Sequence, residues 1–338
     1  MKTFQFDSFG SLDGLKPHQA ALPKPGPGEV LVRMRAASLN VRDLMIAEQR
    51  YAVPGKAGVV ALSDGAGETA ECGPGVTRFK TGDRVTATYF PQWRDGRLDF
   101  QMAFDQFGCT RDGAAAEYAL YHQEALVAIP EHLSFEEGAT LTCAAATAWS
   151  ALTTLPRAVL PGERVLTMGS GGVPLFALQF AKAMGAEVIA LTSSASKALR
   201  LKALGADHVI DTRADPDWEK RVPGLTDGRG IDHIVETGGA RTIEHSLRAV
   251  GADGQIASIG VMLGADLRID PAPLGSAYAT IRRIFVGSRA SFEAMNRAIR
   301  LHRIRPVIDH VRPFDATVEA LHAFKAQNHF GKIVLSIA

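Results

Sequence analysis

The stretch that decides the fold is Arg164-Val165-Leu166-Thr167-Met168-Gly169-Ser170-Gly171-Gly172-Val173-Pro174. Its first five residues predict a short buried strand, and the apolar run from Leu175 to Met184 predicts a helix. Glycines between a strand and a helix are typical of a turn that binds a dinucleotide. In such a turn Gly169 makes the tight bend, and Gly171 lets the backbone approach the pyrophosphate.

The third glycine of this fingerprint is replaced by Pro174. A first helical turn tolerates proline because the missing N–H has no intrahelical partner there. We therefore predict that the cofactor phosphates bind at four loop residues, Ser170, Gly171, Gly172 and Val173. The alternative is a glycine-rich turn of an α/β fold that binds no cofactor.

Strand and helix patterns alternate beyond the loop. A helix is predicted at residues 197–204. Further short apolar runs predict strands at residues 188–191, 208–210, 231–235, 255–259 and 283–286. Six strands in this alternation predict an α/β fold with a doubly wound, six-stranded parallel sheet, which is a Rossmann domain.

The end of the second strand indicates which dinucleotide is bound. An NAD site would have Asp or Glu there to hold the ribose hydroxyls, whereas this sequence has Thr192-Ser193-Ser194 and then Lys197. Hydroxyls and one positive charge suit a 2′-phosphate, so we predict NADPH as the cofactor. The alternative is that the serines cap the second helix and Lys197 only faces solvent.

The rest of the chain has a different character. The first 130 residues predict short strands between turns, a largely β domain that could close like a barrel, with a long loop at residues 89–113. Ser134-Phe135-Glu136-Glu137 is a capping box that predicts a helix to Cys143, followed by a second helix around residues 146–152. The remaining patterns predict helices at 292–301 and 315–326 and a strand at 333–337, which we expect to return to the first domain.

Composition argues against several classes of protein. The 338 residues are 46% hydrophobic and 22% charged, with a net charge of +1. These values predict two folded domains and argue against nucleic acid as a partner. Cys72, Cys109 and Cys143 are too few and too far apart for a disulfide framework. The N-terminus lacks the pattern of a signal peptide, and no run reaches the ~18 apolar residues of a membrane span. We expect a soluble cytoplasmic protein.

Five blocks carry a family resemblance, at residues 38–44, 62–68, 82–85, 143–149 and 329–332. With them the chain resembles the medium-chain dehydrogenase/reductase superfamily over essentially its whole length, and in particular its zinc-independent, quinone oxidoreductase-like branch. The resemblance implies a GroES-like, β-rich catalytic domain at residues 1–133 and 292–338. It implies a Rossmann NADP-binding domain at residues 134–291.

Zinc-dependent members of the superfamily hold a catalytic metal at three positions that correspond here to Asn40, Ser63 and Cys143. Asn and Ser are poor replacements for the imidazole and thiolate ligands that zinc prefers. A structural zinc needs four close cysteines, whereas residues 89–113 contain Cys109 alone. We therefore predict no zinc. Cys143 is expected to be a buried, inert thiol, with a nucleophilic role as the alternative.

The resemblance also implies how the reaction would proceed. Without a metal to act as a Lewis acid, the acceptor must already be electrophilic, as quinones and α,β-unsaturated carbonyl compounds are. Asn40 is implied beside the nicotinamide, where it could donate to the acceptor oxygen, and Thr147 at the carboxamide. Tyr51 is a candidate proton donor, or else an aromatic at a loop edge. Asp64 stands where zinc enzymes carry an acid near the metal, or else is a turn residue.

Further cofactor contacts are implied at later strand ends, at Gly238, Gly239, Ile259 and Ser288, and these are backbone contacts at most. Lys332 occupies a position whose basic residue reaches the cofactor phosphates in relatives, and the alternative is a plain surface lysine. The ten histidines include no HExxH motif or spaced pair, so we assign them no metal.

The sequence thus predicts an NADPH-dependent oxidoreductase that reduces a small electrophilic molecule, a quinone or an α,β-unsaturated carbonyl compound, without zinc. Two alternatives stay open. One is a zinc-dependent alcohol dehydrogenase that binds metal through Cys143, Asp64 and a histidine, and the other is a protein that binds NADPH without turnover. Relatives commonly pair through the edge strand of the nucleotide domain, so by analogy we expect a homodimer formed near residues 283–287.

Overall fold

Fifteen β-strands occur in residues 1–260 and 270–338, which are the residues that the computed structural model describes. In chain order they are β1 Lys2–Phe6, β2 Leu15–Gln19, β3 Glu29–Ser38, β4 Asp64–Cys72, β5 Arg84–Ala87, β6 Tyr118–His122, β7 Leu126–Ala128, β8 Arg164–Met168, β9 Glu187–Thr192, β10 His208–Asp211, β11 Ile231–Glu236, β12 Val250–Ser258, β13 Thr280–Arg283, β14 Ile308–Pro313 and β15 Lys332–Ser336.

The same ranges contain eleven α-helices. They are α1 Val41–Ala47, α2 Phe100–Phe104, α3 Phe135–Gly138, α4 Ala146–Thr153, α5 Gly172–Ala183, α6 Ala195–Ala203, α7 Val222–Leu225, α8 Ile243–Ala249, α9 Pro271–Ser276, α10 Arg289–His302 and α11 Thr317–Lys325. A π-helical turn lies at Leu141–Ala145, and 3₁₀ turns lie at Leu12–Gly14, Gln123–Ala125, Trp218–Arg221, Gly239–Arg241 and Phe314–Ala316. Among these described residues, no helix has the length and apolar character that crossing a bilayer requires.

These elements divide into two units. The first unit comprises residues 1–146 and 286–338, and the second comprises residues 147–285. The predicted boundaries, at 134 and 292, differ from this division. The capping box of Ser134 does open α3, as predicted, but α3 packs against β3 and β4 of the first unit. A capping box determines where a helix begins, whereas the domain to which the helix belongs depends on packing that the box does not encode.

The second unit contains the six-stranded parallel sheet that the sequence predicts. Its strand order is β10-β9-β8-β11-β12-β13, and every neighbouring pair is parallel. All five residues of β8 are buried, and α5 packs against β8 and β9. The chain continues from β8 to β9 on one side and later places β11 on the other side. The carboxyl ends of β8 and β11 therefore border the crevice in which such sheets bind ligands.

The last strand of this sheet lies three residues earlier than predicted. β13 is Thr280–Arg283 instead of residues 283–286, and the Ile284 N–H bonds to the Ser258 carbonyl (3.0 Å) just after it. Val286 has a φ of +41°, a left-handed conformation that ends an extended strand. Ile284 and Val286 are buried. The apolar character of these two residues therefore reflects their burial, and residues 284–286 are not part of a strand. The sheet edge expected near 283–287 is consequently at 280–283.

The main sheet of the first unit has the order β14-β15-β3-β4-β5-β7, and β6 also pairs with β3. β15 runs antiparallel to β3, with Val334 opposite Ser38. The pairing continues past the end of β3, because the Leu39 N–H donates to the Ile333 carbonyl (3.1 Å). This register places Lys332, the first residue of β15, next to the residues that follow β3.

Candidate functional site

The glycine loop joins β8 to α5, as predicted. Gly169 has a φ of +85°, which residues with a Cβ seldom adopt, and Gly171 is the N-cap residue of α5. A Cβ added at either Gly169 or Gly171 would meet no atom within 4 Å, so the space over the loop is open. The first N–H groups of a helix have no intrahelical partners and form the positive end of its dipole. The loop therefore fits a pyrophosphate group.

The side chains of the loop leave this face accessible. Ser170 is buried, whereas Gly172 and Val173 are half-buried. Pro174 is buried and lies in the first turn of α5. This is the position at which a proline can replace the third glycine, because the missing N–H would have no intrahelical partner. The four loop residues predicted from the sequence thus lie together, and their phosphate contacts stay a prediction.

Hydroxyl side chains occupy the end of β9. Thr192 is buried, Ser193 is exposed and Lys197 is half-buried. Ser194 is the N-cap residue of α6, but its side chain makes no capping hydrogen bond, and its Oγ lies 3.0 Å from Ser196 Oγ. Residues 192–197 include no acid. The strand end therefore has hydroxyl groups that the helix does not require for its cap.

A buried carboxylate that the sequence analysis missed ends β11. Glu236 Oε1 accepts hydrogen bonds from the backbone N–H of Gly238 (2.7 Å) and of Gly239 (2.9 Å), and from Thr242 Oγ1 (2.6 Å). Ser246 donates to the other carboxylate oxygen. The amides of Gly238 and Gly239, which the resemblance implies at the crevice, are therefore bound to Glu236. This carboxylate holds the 3₁₀ turn after β11 in place.

Three other residues predicted to contact the cofactor are Ile259, Ser288 and Thr147. Ile259 donates its N–H to the backbone of Glu236 (2.8 Å) and accepts a hydrogen bond from Arg283 at its carbonyl (2.8 Å). Its backbone N–H is therefore already bound, whereas its carbonyl can accept one more hydrogen bond. Ser288 is the N-cap residue of α10, and its Oγ accepts a backbone N–H of that helix (3.1 Å). Thr147 is buried in α4.

In the first unit, Lys332 is a buried residue at the start of β15. Its side chain is only 3% exposed, and Nζ donates hydrogen bonds to the Leu39 carbonyl (2.5 Å) and to Asn40 Oδ1 (2.6 Å). The alternative of a surface lysine is therefore wrong, and the contact of Lys332 with cofactor phosphates stays a prediction. Lys332 is a buried cation because β15 pairs with β3 in the register described above.

Asp64, the first residue of β4, supplies the opposite charge. It is fully buried, and its Oδ2 lies 4.0 Å from Lys332 Nζ. Ser63 Oγ donates to Oδ1 (2.7 Å), and the Cys143 N–H donates to Oδ2 (3.2 Å). Asp64 is therefore not a turn residue. With no exposed surface it can act on a substrate only through its neighbours.

Asn40 is bound by Asp43 and Lys332 and carries the candidate hydrogen-bond donor of the site. Its backbone N–H donates to Asp43 Oδ2 (2.8 Å) and its Oδ1 accepts from Lys332. Its Nδ2 is buried and has no hydrogen-bond partner in the protein, although the residue is 93% buried. An unsatisfied buried donor is costly, and a ligand oxygen would satisfy it.

The donor set does not fit zinc. Asn40 Oδ1 is bound to an ammonium group, and Ser63 Oγ is bound to Asp64. Burial, reinforced by the charge of Asp64, raises the pKa of the Cys143 thiol, which keeps it weakly nucleophilic. Among residues 1–260 and 270–338, no group of three His, Cys, Asp or Glu side chains could hold a metal ion. The protonated thiol also argues against a nucleophilic role for Cys143.

A second polar cluster surrounds Tyr51. Tyr51 Oη lies 2.7 Å from Tyr89 Oη, and both phenols lie within hydrogen-bond distance of Gln106 Oε1, at 3.0 and 3.1 Å. The buried guanidinium of Arg42 stacks on both rings, 5.4 Å and 4.7 Å from their centroids. Burial raises the pKa of Tyr89 well above its usual value.

This cluster places the predicted Tyr51 in a defined setting. Tyr51 is half-buried and lines a cavity of about 340 Å³ together with Ile46 and Pro54. Tyr51 thus keeps part of its surface exposed, while its phenol is hydrogen-bonded to the buried Tyr89 and Gln106. The sequence analysis missed Arg42, Tyr89 and Gln106, because no local pattern links residues so far apart in the chain.

Comparisons with known proteins agree with both halves of the fold. Residues 26–131 match the family described as Alcohol dehydrogenase GroES-like domain. Residues 172–300 match the family described as Zinc-binding dehydrogenase. The two matches fall in the first and mainly the second unit, respectively.

Curated relatives cover most of the chain. It is 41% identical over 337 residues to a zinc-type alcohol dehydrogenase-like protein of Schizosaccharomyces pombe, which covers 98% of this chain and 97% of the relative. It is 33% identical over 283 residues to a quinone oxidoreductase of Pseudomonas aeruginosa, which covers 82% and 80%.

Solved structures are similar over the whole chain. An NAD-dependent alcohol dehydrogenase has a TM-score of 0.90 and 33% identity, with both chains covered completely. A mycobacterial protein complexed with NADPH has a TM-score of 0.82 and 25% identity, covering 99% of this chain and 100% of that one.

The buried Asp43 yields a prediction about stability and pH. Burial, opposed by the charge of Arg42, raises the pKa of the Asp43 carboxyl to about 6, whereas an unfolded chain releases this proton near the ordinary value of about 3.9. Between about pH 4 and 6 the folded state holds a proton that the unfolded state has lost. Rising pH therefore lowers the free energy of unfolding through this group, by up to about 3 kcal/mol.

The variant Asp43→Asn removes this titration and keeps an acceptor for the Asn40 N–H. The free energy of unfolding of the variant minus that of the wild type is expected to rise by up to about 3 kcal/mol from pH 4 to pH 6, as measured by urea denaturation. The exposed Asp95 provides the control, because Asp95→Asn should give a flat difference. A flat difference for Asp43→Asn would contradict the raised pKa.

Proposed function

Since the chain belongs to the medium-chain dehydrogenase/reductase superfamily and is an oxidoreductase of that fold, we propose that it transfers a hydride from NADPH to a quinone or an α,β-unsaturated carbonyl compound without zinc. The observation that carries this proposal is the buried ammonium of Lys332. It binds Asn40 and lies 4.0 Å from Asp64, where the resemblance implies a metal in zinc-dependent members. The positive charge of this ammonium group repels a divalent metal cation and so disfavours metal binding at this place.

A nicotinamide nucleotide, when bound, supplies the hydride. The amides of residues 170–173 would hold its pyrophosphate, and the hydroxyls of residues 192–194 with Lys197 would hold a 2′-phosphate. The NADPH complex of the mycobacterial relative supports this choice, while the NAD-dependent alcohol dehydrogenase makes NAD the alternative. The absence of an acid at the end of β9 favours NADPH.

The substrate class follows from what the protein can offer to a developing negative charge. The Nδ2–H of Asn40 is a hydrogen-bond donor and not a Lewis acid, so the acceptor must delocalise charge itself. A quinone ring or the β-carbon of an enone takes the hydride, and its oxygen then carries the charge until a proton arrives. The name of the P. aeruginosa relative, a quinone oxidoreductase, supports a quinone as the acceptor.

The proton is assigned to the phenol of Tyr51 or to solvent. Tyr51 is half-buried whereas Tyr89 is buried, and their hydroxyl oxygens lie 2.7 Å apart. The Tyr89 hydroxyl can therefore donate a hydrogen bond to Tyr51 Oη once Tyr51 has given up its proton.

A zinc-dependent alcohol dehydrogenase is the second candidate function, favoured by the descriptions of the S. pombe relative and of the matching family. Chelation separates it from the first. After dialysis against EDTA, the protein should still oxidise NADPH with phenanthrenequinone and should not oxidise an unactivated aliphatic alcohol. Loss of activity on chelation, with recovery on adding zinc, would overturn the zinc-free proposal.

A glycine variant separates turnover from binding. Gly171→Asp puts a carboxylate into the open space over the loop, where it repels phosphate, and is expected to abolish NADPH binding and turnover. The control Gly224→Asp also adds a side chain in open space, on α7, and should change neither. Tight NADPH binding without any consumption in the wild type would favour the non-catalytic alternative.

The choice of cofactor can be tested at Lys197. NADPH should bind more tightly than NADH in a fluorescence titration, and Lys197→Ala should weaken NADPH binding about tenfold, or about 1.4 kcal/mol, without changing NADH binding. Lys202, exposed on the same helix, supplies the control variant Lys202→Ala. Equal losses for both cofactors would show that Lys197 does not contact a 2′-phosphate.

We also propose a homodimer in which a second copy pairs with β13, the outer strand of the parallel sheet. Tyr278 and Phe285 flank this strand and are 81% and 52% exposed. Light scattering should give twice 36.1 kDa, and a Tyr278→Glu, Phe285→Glu variant should give the monomer mass. Leu199→Glu, at an exposed leucine on α6, should leave the dimer intact. A monomeric wild type would contradict the proposal.

We also propose that the protein is located in the cytoplasm. Cys72, Cys109 and Cys143 form no disulfide bond, which suits a reducing compartment.

A further inference from the structure

We propose that Lys332 is a positioning residue that orients and polarises the Asn40 amide, so that Nδ2–H donates to the oxygen of the hydride acceptor. The inference rests on the proposed reductase function and deepens it, because it assigns to a buried lysine the electrostatic task that a metal performs in zinc-dependent relatives. Lys332 itself does not contact the acceptor.

The first step is orientation. A lysine ammonium has three donors and no acceptor, so it can bind only the oxygen end of an amide. The contact of Lys332 Nζ with Asn40 Oδ1 (2.6 Å) therefore fixes which end of the side chain is free. Nδ2 is that end, and it is buried without a partner in the protein.

The second step is rigidity. Lys332 Nζ also donates to the Leu39 carbonyl (2.5 Å), and the pairing of β15 with β3 fixes the backbone on both sides. The Asn40 backbone is held by its N–H bond to Asp43 (2.8 Å). A donor fixed in this way needs no reorganisation when charge develops on the acceptor, which is the condition for effective transition-state stabilisation.

The third step is charge. Asp64 balances Lys332 at 4.0 Å and is itself held by Ser63 and by the Cys143 N–H, so the buried cation is tolerated. A positive charge at the oxygen end of an amide withdraws electron density from its nitrogen and strengthens the N–H as a donor. The effect is larger in a buried site than in water.

The experiment is a double-mutant cycle on kcat with phenanthrenequinone. Asn40→Ala and Lys332→Met are each expected to lower kcat about 100-fold, as the loss of one such donor does, while the KM for NADPH stays within about twofold. Because Lys332 acts through Asn40, the double variant should be no slower than the slower single variant. Multiplicative losses would overturn the proposal, as would an unchanged kcat in Lys332→Met.

Two further variants separate orientation from charge and from folding. Lys332→Gln keeps a donor for Asn40 Oδ1 without the charge, and we expect a kcat between those of wild type and Lys332→Met. If Lys332→Met does not fold, the variant Asp64→Asn, Lys332→Met removes both buried charges and serves in its place. Lys325→Met, at an exposed lysine of the same C-terminal region, should leave kcat unchanged.

A binding measurement keeps the inference distinguishable from the proposed function. The phenolate of 4-nitrophenol presents an anionic oxygen and needs no turnover. Wild-type protein should bind it with a measurable spectral shift, and Asn40→Ala and Lys332→Met should each weaken binding at least tenfold. No turnover of any quinone together with normal phenolate binding would refute the proposed function alone. Equal phenolate binding by wild type and Lys332→Met would refute the role of Lys332.

Discussion

The polar site of the first unit depends on the antiparallel pairing of β15 with β3. That pairing brings a residue from the C-terminal region within 2.6 Å of Asn40 and leaves it almost without solvent. Once a lysine is placed there, the other features follow as physical necessities. A counter-charge is needed, and Asp64 provides it. The amide of Asn40 turns its oxygen to the lysine, and its nitrogen is left buried without a hydrogen-bond partner in the protein.

Local patterns made much of the fold predictable. The glycine loop between β8 and α5, the capping box at Ser134 and five of the six strands of the parallel sheet lie where the sequence indicates, because each depends on a few neighbouring residues. The sixth strand was misplaced because burial and strand formation give the same apolar signal, and the left-handed Val286 cannot be inferred from its side chain. The predicted domain boundary at residue 134 differs from the division of the structure after residue 146 for a similar reason, because α3 begins where its capping box predicts but packs against strands of the first unit.

The site itself was only partly predictable. Asn40, Asp64 and Tyr51 were found through blocks of resemblance, but their partners depend on contacts across long separations in the chain. Lys332 and Asn40 are 292 positions apart, and Tyr51 and Gln106 are 55 apart. Glu236 was missed because an acid at a strand end resembles a surface residue until four donors converge on it. Such networks are properties of the assembled sheet and not of any segment.

The state of the thiols has a consequence for a protein that handles electrophiles. Quinones and enones alkylate thiolates, which would inactivate an enzyme that meets them at every turnover. Burial comes first among the causes that raise the pKa of each of the three thiols, Cys72, Cys109 and Cys143. All three are thereby kept in the protonated, weakly nucleophilic form. The burial that suppresses ionisation of the Cys143 thiol thus also protects the protein from covalent attack by its proposed substrates.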